Sequence, residues 1–148
     1  MKKLFIYYSL TGNGDEVARY LKDQGYDIRK IEVEKPLPNN FTLRILIGGF
    51  KALINSKEKL VNFDSNIDDY DYIIIGSPIW NDRLSSPITT ALNELDLNNK
   101  ELTFILYSGS GTSNKATKYI KKKYSNCKII NSKTPKKIKQ ELHKLDKI

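Results

Sequence analysis

The sequence predicts an α/β doubly wound fold, a parallel sheet with helices on both faces, within a single domain spanning residues 1–148. Two observations predict it. Short apolar runs rich in β-branched and aromatic residues recur along the chain, and each is followed by a longer stretch with helical spacing, the alternation typical of parallel βαβ units. The length of 148 residues, with 39% hydrophobic and 28% charged residues, suits one globular unit with a real core rather than a disordered chain.

Leu4 to Tyr8 opens the series as a strand. A helix is expected from Asp15 to Gln24, where Val17, Ala18 and Leu21 share a face and Gly25 stands as the C-terminal stop. Tyr26 to Val33 alternates Ile28, Ile31 and Val33 with Arg29, Lys30 and Glu32, which suits an edge strand; Pro36 and Pro38 then break the chain. Leu43, Leu46, Ile47, Phe50, Leu53 and Ile54 recur at three- and four-residue spacing and predict a helix from Phe41 to Asn55. Gly48 and Gly49 inside it cost roughly 1 kcal/mol each relative to alanine, so they mark a close backbone approach or a local break. Tyr70 to Gly76 reads as a buried strand ended by Pro78, Pro87 to Leu95 as a short helix, and Leu102 to Tyr107 as a second buried strand. Asn114 to Tyr124 is a lysine-rich helix, Lys128 to Ile130 a brief strand, and a last helix runs from Pro135, well suited to a first helical position, to about Lys147.

One cysteine, Cys127, excludes an internal disulfide, and nothing marks an oxidising compartment. The apolar run at Leu4 is too short for a signal peptide, and no segment reaches the ~18 apolar residues of a membrane span, so the expected location is the cytoplasm. No metal-ligand spacing occurs, and the only histidine, His143, lies in the last helix beside Lys144, so metal-dependent and histidine-based hydrolytic chemistry are not expected. The net charge of +8 is unevenly placed. From Ser113 onward twelve lysines face only Glu141 and Asp146, a net +10, whereas the first 112 residues hold 13 basic and 15 acidic groups, a net −2. The positive excess therefore belongs to the last quarter of the chain. It suits steering toward an acidic partner, or simply a solvated lysine face.

In doubly wound sheets ligands bind beyond the carboxyl ends of the strands, where the strand order reverses, so the loops after the first, third and fourth strands are the candidate sites. The first, Ser9, Leu10, Thr11, Gly12, Asn13 and Gly14, leads straight from strand to helix. Its hydroxyls, its amide and the helix N-terminus would hold a phosphate through neutral donors, with no Lys or Arg present. Neither the GxGxxG nor the P-loop pattern fits, and an ordinary βα turn shares the spacing. The second, Ser77, Pro78, Ile79, Trp80, Asn81 and Asp82, puts the only tryptophan just past a buried strand, where its face would meet a planar ring or pack on the helix at Pro87. The third, Ser108, Gly109, Ser110 and Gly111 after Tyr107, is small and polar and suits the polar edge of a heteroaromatic ring or a capped turn.

SLTGNG, GSPIWND and YSGSGT, together with the strand spacing, resemble the phosphate loop and the two flavin-flanking loops of flavodoxins and flavodoxin-like FMN-binding proteins, over nearly the whole chain. The resemblance implies a three-layer flavodoxin-like doubly wound sheet of five parallel strands in order 2-1-3-4-5, FMN as cofactor, and a low-potential electron carrier between redox partner proteins, a reductase and an acceptor. Carried over by position, Ser9, Thr11, Gly12, Asn13 and Gly14 would hold the FMN phosphate, Trp80 would stack on the isoalloxazine, and Ser108 to Gly111 would meet its pyrimidine edge. GGFKALINSKEKL is similar to one subset of these proteins. Three departures stand out. Gly14 replaces the usual Thr, Ser110 and Gly111 replace an aromatic residue on the outer flavin face, and Asn81 replaces Gly at a peptide that must reach positive φ, which Asn tolerates best after Gly. An uncovered flavin face keeps two other functions open: an FMN-dependent NAD(P)H:quinone or other acceptor reductase, and an accessory protein that docks on and activates a partner enzyme. A flavin-free interaction module on the same fold is the third. The lysine-rich C-terminal surface is either a docking face for a redox partner or a solvated lysine face, and nucleic acid is not an expected partner, because the ligand loops lie where no positive excess exists.

Overall fold

A computed structural model describes residues 1–145. The elements are β1 (Lys3–Tyr7), α1 (Asn13–Asp23), β2 (Asp27–Lys30), α2 (Phe41–Leu53), β3 (Tyr72–Trp80), β4 (Arg83–Leu84), α3 (Ser86–Glu94), β5 (Glu101–Tyr107), α4 (Asn114–Lys123), β6 (Cys127–Ser132) and α5 (Pro135–Leu145). The expected end of the last helix at Lys147 lies outside the described residues.

Five strands pair in parallel in the order β2-β1-β3-β5-β6, and β4 folds back antiparallel on β3. With β4 set aside, this is the order 2-1-3-4-5. Alternate side chains of each strand serve two cores. Leu4, Ile6, Ile73, Ile75, Phe104 and Leu106 pack under α3 and α4 through Ile88, Ala91, Leu92, Ala116 and Ile120. Phe5, Tyr7, Ile74, Ile105 and Tyr107 pack under α1 and α5 through Val17, Ala18, Leu21, Ile138 and Leu142. This two-sided burial makes YIII and TFIL continuous apolar runs rather than alternating ones.

Four local expectations need correction. Pro78 does not end β3, which continues to Trp80 with Pro78 opposite Tyr107. The Gly76 carbonyl accepts from Tyr8 N, the last bond to β1, so Pro78, two residues on, turns its missing N–H to the side that β1 has left. β2 is confined to Asp27–Lys30, because its pairing partner β1 stops at Tyr7; Val33 makes only an isolated bridge to Leu60. β6 is longer than expected, since Leu102 to Tyr107 of β5 offers a full row of partners to Cys127–Ser132. The predicted loop around Trp80 is a hairpin, in which Asn81 (φ 49°) and Asp82 (φ 60°) form a two-residue connection of the left-handed kind that matches strand twist.

α2 forms where expected, capped by Asn40, whose side chain accepts from Leu43 N at 3.1 Å. It is not broken at its glycines. Only Gly48 and Ala52 are buried, and the stripe that announced the helix, Leu43, Leu46, Ile47, Phe50, Leu53 and Ile54, points to solvent. A 3.6-residue stripe ordinarily faces the core, and here the opposite face does so. A Cβ on Gly48 would lie 3.2 Å from Trp80 Cδ2 and 3.2 Å from Leu37 Cδ1, so the glycine is where the helix backbone lies on the indole.

Candidate functional site

The C-terminal ends of β1, β3 and β5 surround a cleft of about 330 Å³. Leu10, Thr11 and Asn13 form one side, Pro78, Ile79 and Trp80 the floor, Tyr107, Ser108 and Gly109 the far side, and Phe41, Arg44, Ile45 and Lys133 the rim. The three loops singled out by sequence therefore converge, at the point between β1 and β3 where the chain reverses its winding direction.

At the first loop, Gly12 (φ 92°) ends the turn and α1 begins with no side-chain cap, so its first N–H groups are aimed outward without a side-chain partner. Gly14 is buried beneath this turn, where a Cβ would come 2.8 Å from the Tyr7 ring. Tyr7 donates to Asp15 at 2.8 Å, and Lys30 reaches the same carboxylate oxygen at 2.7 Å. Burial pulls the Asp15 carboxyl upward, but the hydrogen bonds from Lys30 and Tyr7 outweigh it and hold it below the usual aspartate range. The base of the loop is thus charged and occupied.

Among the described residues, three buried side-chain polar atoms have no hydrogen-bond partner: Ser9 Oγ, Tyr107 OH and Ser108 Oγ. Ser9 Oγ leans on Asp15 without reaching hydrogen-bond geometry. Burial, reinforced by Tyr7 and Asp15, pushes the Tyr107 phenol up, so it keeps a proton to donate. An unpaired buried hydroxyl costs about 1–3 kcal/mol; all three stand at the chain ends of β1 and β5, Tyr107 and Ser108 lining the cleft and Ser9 lying under the first loop beside Gly14. Their placement is that of a site whose ligand supplies the missing partners.

Trp80 packs on Gly48 of α2 and meets the Tyr8 ring edge-on at 5.8 Å. Its indole is held from behind while it lines the cleft. The neighbouring candidates face elsewhere. Ser77 Oγ is buried and takes the Ser85 N–H at 3.1 Å, where α3 begins. Asp82 caps α4, accepting from Lys115 N through Oδ2 at 3.1 Å and from Ala116 N through its carbonyl at 2.9 Å. Ser110 Oγ is spent on Thr112, and Gly111 lies against the Lys133 side chain. Of the sixteen sequence candidates, Leu10, Thr11, Asn13, Pro78, Ile79, Trp80, Ser108 and Gly109 line the cleft; Ser9, Gly12, Gly14, Ser77, Asn81, Asp82, Ser110 and Gly111 shape the loops around it.

The sequence missed Phe41, Arg44, Ile45 and Lys133, and Tyr107, the head of the third loop, was not among its site residues. Phe41, Arg44 and Ile45 share a helical face with Gly48, a second stripe at three- and four-residue spacing that the stronger apolar stripe obscured. Arg44 Nε donates to the Pro38 carbonyl at 3.2 Å, which holds the guanidinium at the rim. Among the described residues no cluster of His, Cys, Asp and Glu could hold a metal ion, and no helix is long and apolar enough to cross a membrane.

A family model described as NADPH-dependent FMN reductase matches residues 1–135. No curated protein matches the chain. Among solved structures, a Bacteroides uniformis protein described as a flavoprotein is 22% identical with a TM-score of 0.72, covering 96% of this chain and 97% of its own. A Lactobacillus acidophilus flavoprotein in complex with FMN is 24% identical with a TM-score of 0.65, covering 87% and 89%. Oxidised flavodoxin 1 from Bacillus cereus is 16% identical with a TM-score of 0.51, covering 95% and 93%. These likenesses establish the flavodoxin-like fold.

Proposed function

Since the chain belongs to the NADPH-dependent FMN reductase family, we propose that it is an FMN-dependent oxidoreductase that takes electrons from a reduced nicotinamide dinucleotide and delivers them to a small acceptor. The observation that carries FMN binding is the meeting at one cleft of two unpaired buried hydroxyls, Tyr107 and Ser108, with the uncapped start of α1 and the Trp80 indole, and a third unpaired hydroxyl, Ser9, beneath the first loop. When bound, FMN supplies a ring that accepts two electrons and gives them up singly or as a pair.

The rest is the work of this chain's residues. Ser9, Thr11, Gly12 and Asn13, with the first N–H groups of α1, hold the phosphate, and the positive end of the helix favours its charge. Leu10, Pro78, Ile79 and Trp80 exclude water from the ring, while Ser108 and Gly109 bond its polar edge. Asn81 already has the positive φ that the turn beside the ring asks for. Gly14, Ser77, Asp82, Ser110 and Gly111 act one step back, by fixing the three loops. Arg44 and Lys133 are the rim cations suited to the phosphates of a nicotinamide dinucleotide. No aromatic residue of the third loop covers the outer side, which supports direct access of small substrates.

The test is steady-state oxidation of NADPH and NADH by the FMN-loaded protein with a quinone as acceptor and no other protein present. Turnover is expected. A protein that binds FMN but is reduced only when a separate reductase is added would instead be an electron carrier. One observation favours that second reading: the exposed lysines of α4 and α5 continue to Lys133 at the cleft rim, a surface suited to an acidic protein partner.

A further inference from the structure

A second, smaller pocket of about 180 Å³ opens where the C-terminal end of α2, β4, α3 and α4 meet. Its lining shares no residue with the FMN cleft, although Trp80 of that cleft stands opposite Arg83 in the hairpin. Leu84 and Ala116, both buried, make an apolar floor, and the exposed ring of Tyr119, three residues after Ala116 on the same face of α4, makes one wall. Asn55 and Thr89 close the other sides. Two cations, Arg83 and Lys115, complete the lining, and it contains no carboxylate. Among the described residues neither cation has an ion-pair partner; Arg83 Nη1 donates to the Asn81 carbonyl at 3.2 Å. Asp82, the acid next to Arg83 in the chain, is occupied at the first turn of α4, where its Oδ2 accepts from Lys115 N at 3.1 Å.

We propose that this pocket binds a small aromatic monocarboxylate, with the ring on the floor of Leu84 and Ala116 and the carboxylate held by Arg83 and Lys115. Size sets the first limit. A dry apolar cavity of about 150 Å³ accommodates one benzene ring, so about 180 Å³ holds a single ring bearing one small group and excludes a nucleotide or a flavin. Charge sets the second. Two cations with no acid in the lining favour an anion, and the planar fork of a guanidinium matches a carboxylate through two parallel N–H donors. The floor sets the third. An inorganic anion would meet the cations and gain nothing from the apolar surface beneath them. A ring covers that surface and meets the Tyr119 ring, in the offset or edge-on geometry that aromatic pairs prefer. None of these groups lines the FMN cleft, so the pocket is open to its ligand with the cleft empty or full.

The test is a titration of the isotopically labelled full chain with sodium benzoate, followed by amide chemical shifts and repeated with FMN present. Saturable shifts of the Leu84, Ala116 and Tyr119 amides are expected, with a dissociation constant of about 1 mM for so small an acid. Neutral benzamide lacks the charge and inorganic phosphate lacks the ring, so each should bind about tenfold more weakly. Arg83→Met and Lys115→Met keep the apolar stems and remove the charge. Each should weaken benzoate about tenfold while the dispersion of the spectrum shows an intact fold. Lys133→Met, at the rim of the cleft, should leave benzoate binding unchanged. The proposal is overturned if benzoate produces no saturable shift, if benzamide or phosphate binds as tightly, if FMN displaces benzoate, or if Lys133→Met weakens it and the two pocket variants do not.

Discussion

Replacing Gly14 by alanine probes the way the phosphate loop is seated. An added Cβ would lie 2.8 Å from Tyr7 Cδ2, 3.1 Å from Ser9 Cβ and 3.3 Å from Ser9 Oγ. The Tyr7 ring has no room to yield: it stacks on Phe5 at 4.9 Å and 3°, and its hydroxyl is tied to Asp15 at 2.8 Å. Alanine gains about 1 kcal/mol over glycine in a helix, but overpacking against a fixed ring costs about 1–3 kcal/mol. The net loss is roughly 0–2 kcal/mol, or up to about 8 °C in Tm for a domain of this size. The strain is relieved only by moving the start of α1, and its N–H groups move with it. FMN affinity should therefore fall about tenfold, the value of one hydrogen bond to a charged group. Gly14→Thr, which restores the residue usual in flavodoxin-like phosphate loops, should lose more on both counts. Thermal unfolding without FMN and quenching of FMN fluorescence measure the two effects. A Gly14→Ala protein as stable as the wild type, with unchanged FMN affinity, would refute the reasoning.

Ser108→Ala removes a buried hydroxyl that has no partner, so stability without FMN should hold or rise by about 1 kcal/mol while FMN affinity falls severalfold; urea unfolding and FMN titration read these opposite signs. Asp15 titrates lower in the folded chain than in the unfolded one, so its stabilisation is complete above about pH 5 and is lost as pH falls through the lowered native value. Asp15→Asn should flatten that acid limb in urea midpoints taken from neutral to acid pH and leave the slope above it unchanged. Asp82→Ala deprives Lys115 N of its acceptor, with an expected cost of about 1 kcal/mol and faster amide exchange in the first turn of α4.

The doubly wound parallel sheet and the candidate loops were legible because each rests on local signals, buried apolar runs, helix starts and small polar turns, whereas the strand order was implied only by the resemblance to flavodoxin-like proteins. β4 was not legible. A two-residue strand has no period, and Asn81 and Asp82 reveal a hairpin only through their positive φ. The course of β3 past Pro78 depended on where β1 stops, a fact about the neighbouring strand. The orientation of α2 was hidden because spacing identifies a stripe without saying which way it points; Gly48 under Trp80 decided that, through a contact 32 residues apart in sequence. Arg44 and Lys133 escaped for the same reason, since helix and loop packing alone bring them to the rim. Asp82 was legible as a polar residue beside the site, but its role as the cap of α4 required the fold.

The account rests on the cleft being an FMN site. Titration of the purified full chain with FMN, followed by flavin fluorescence and visible absorption, tests this most directly. One FMN per chain is predicted, with quenched flavin emission from contact with Trp80 and a marked loss of affinity and quenching in Trp80→Ala. A chain that leaves FMN fluorescence and absorption unchanged, or binds it equally well as Trp80→Ala, would contradict it.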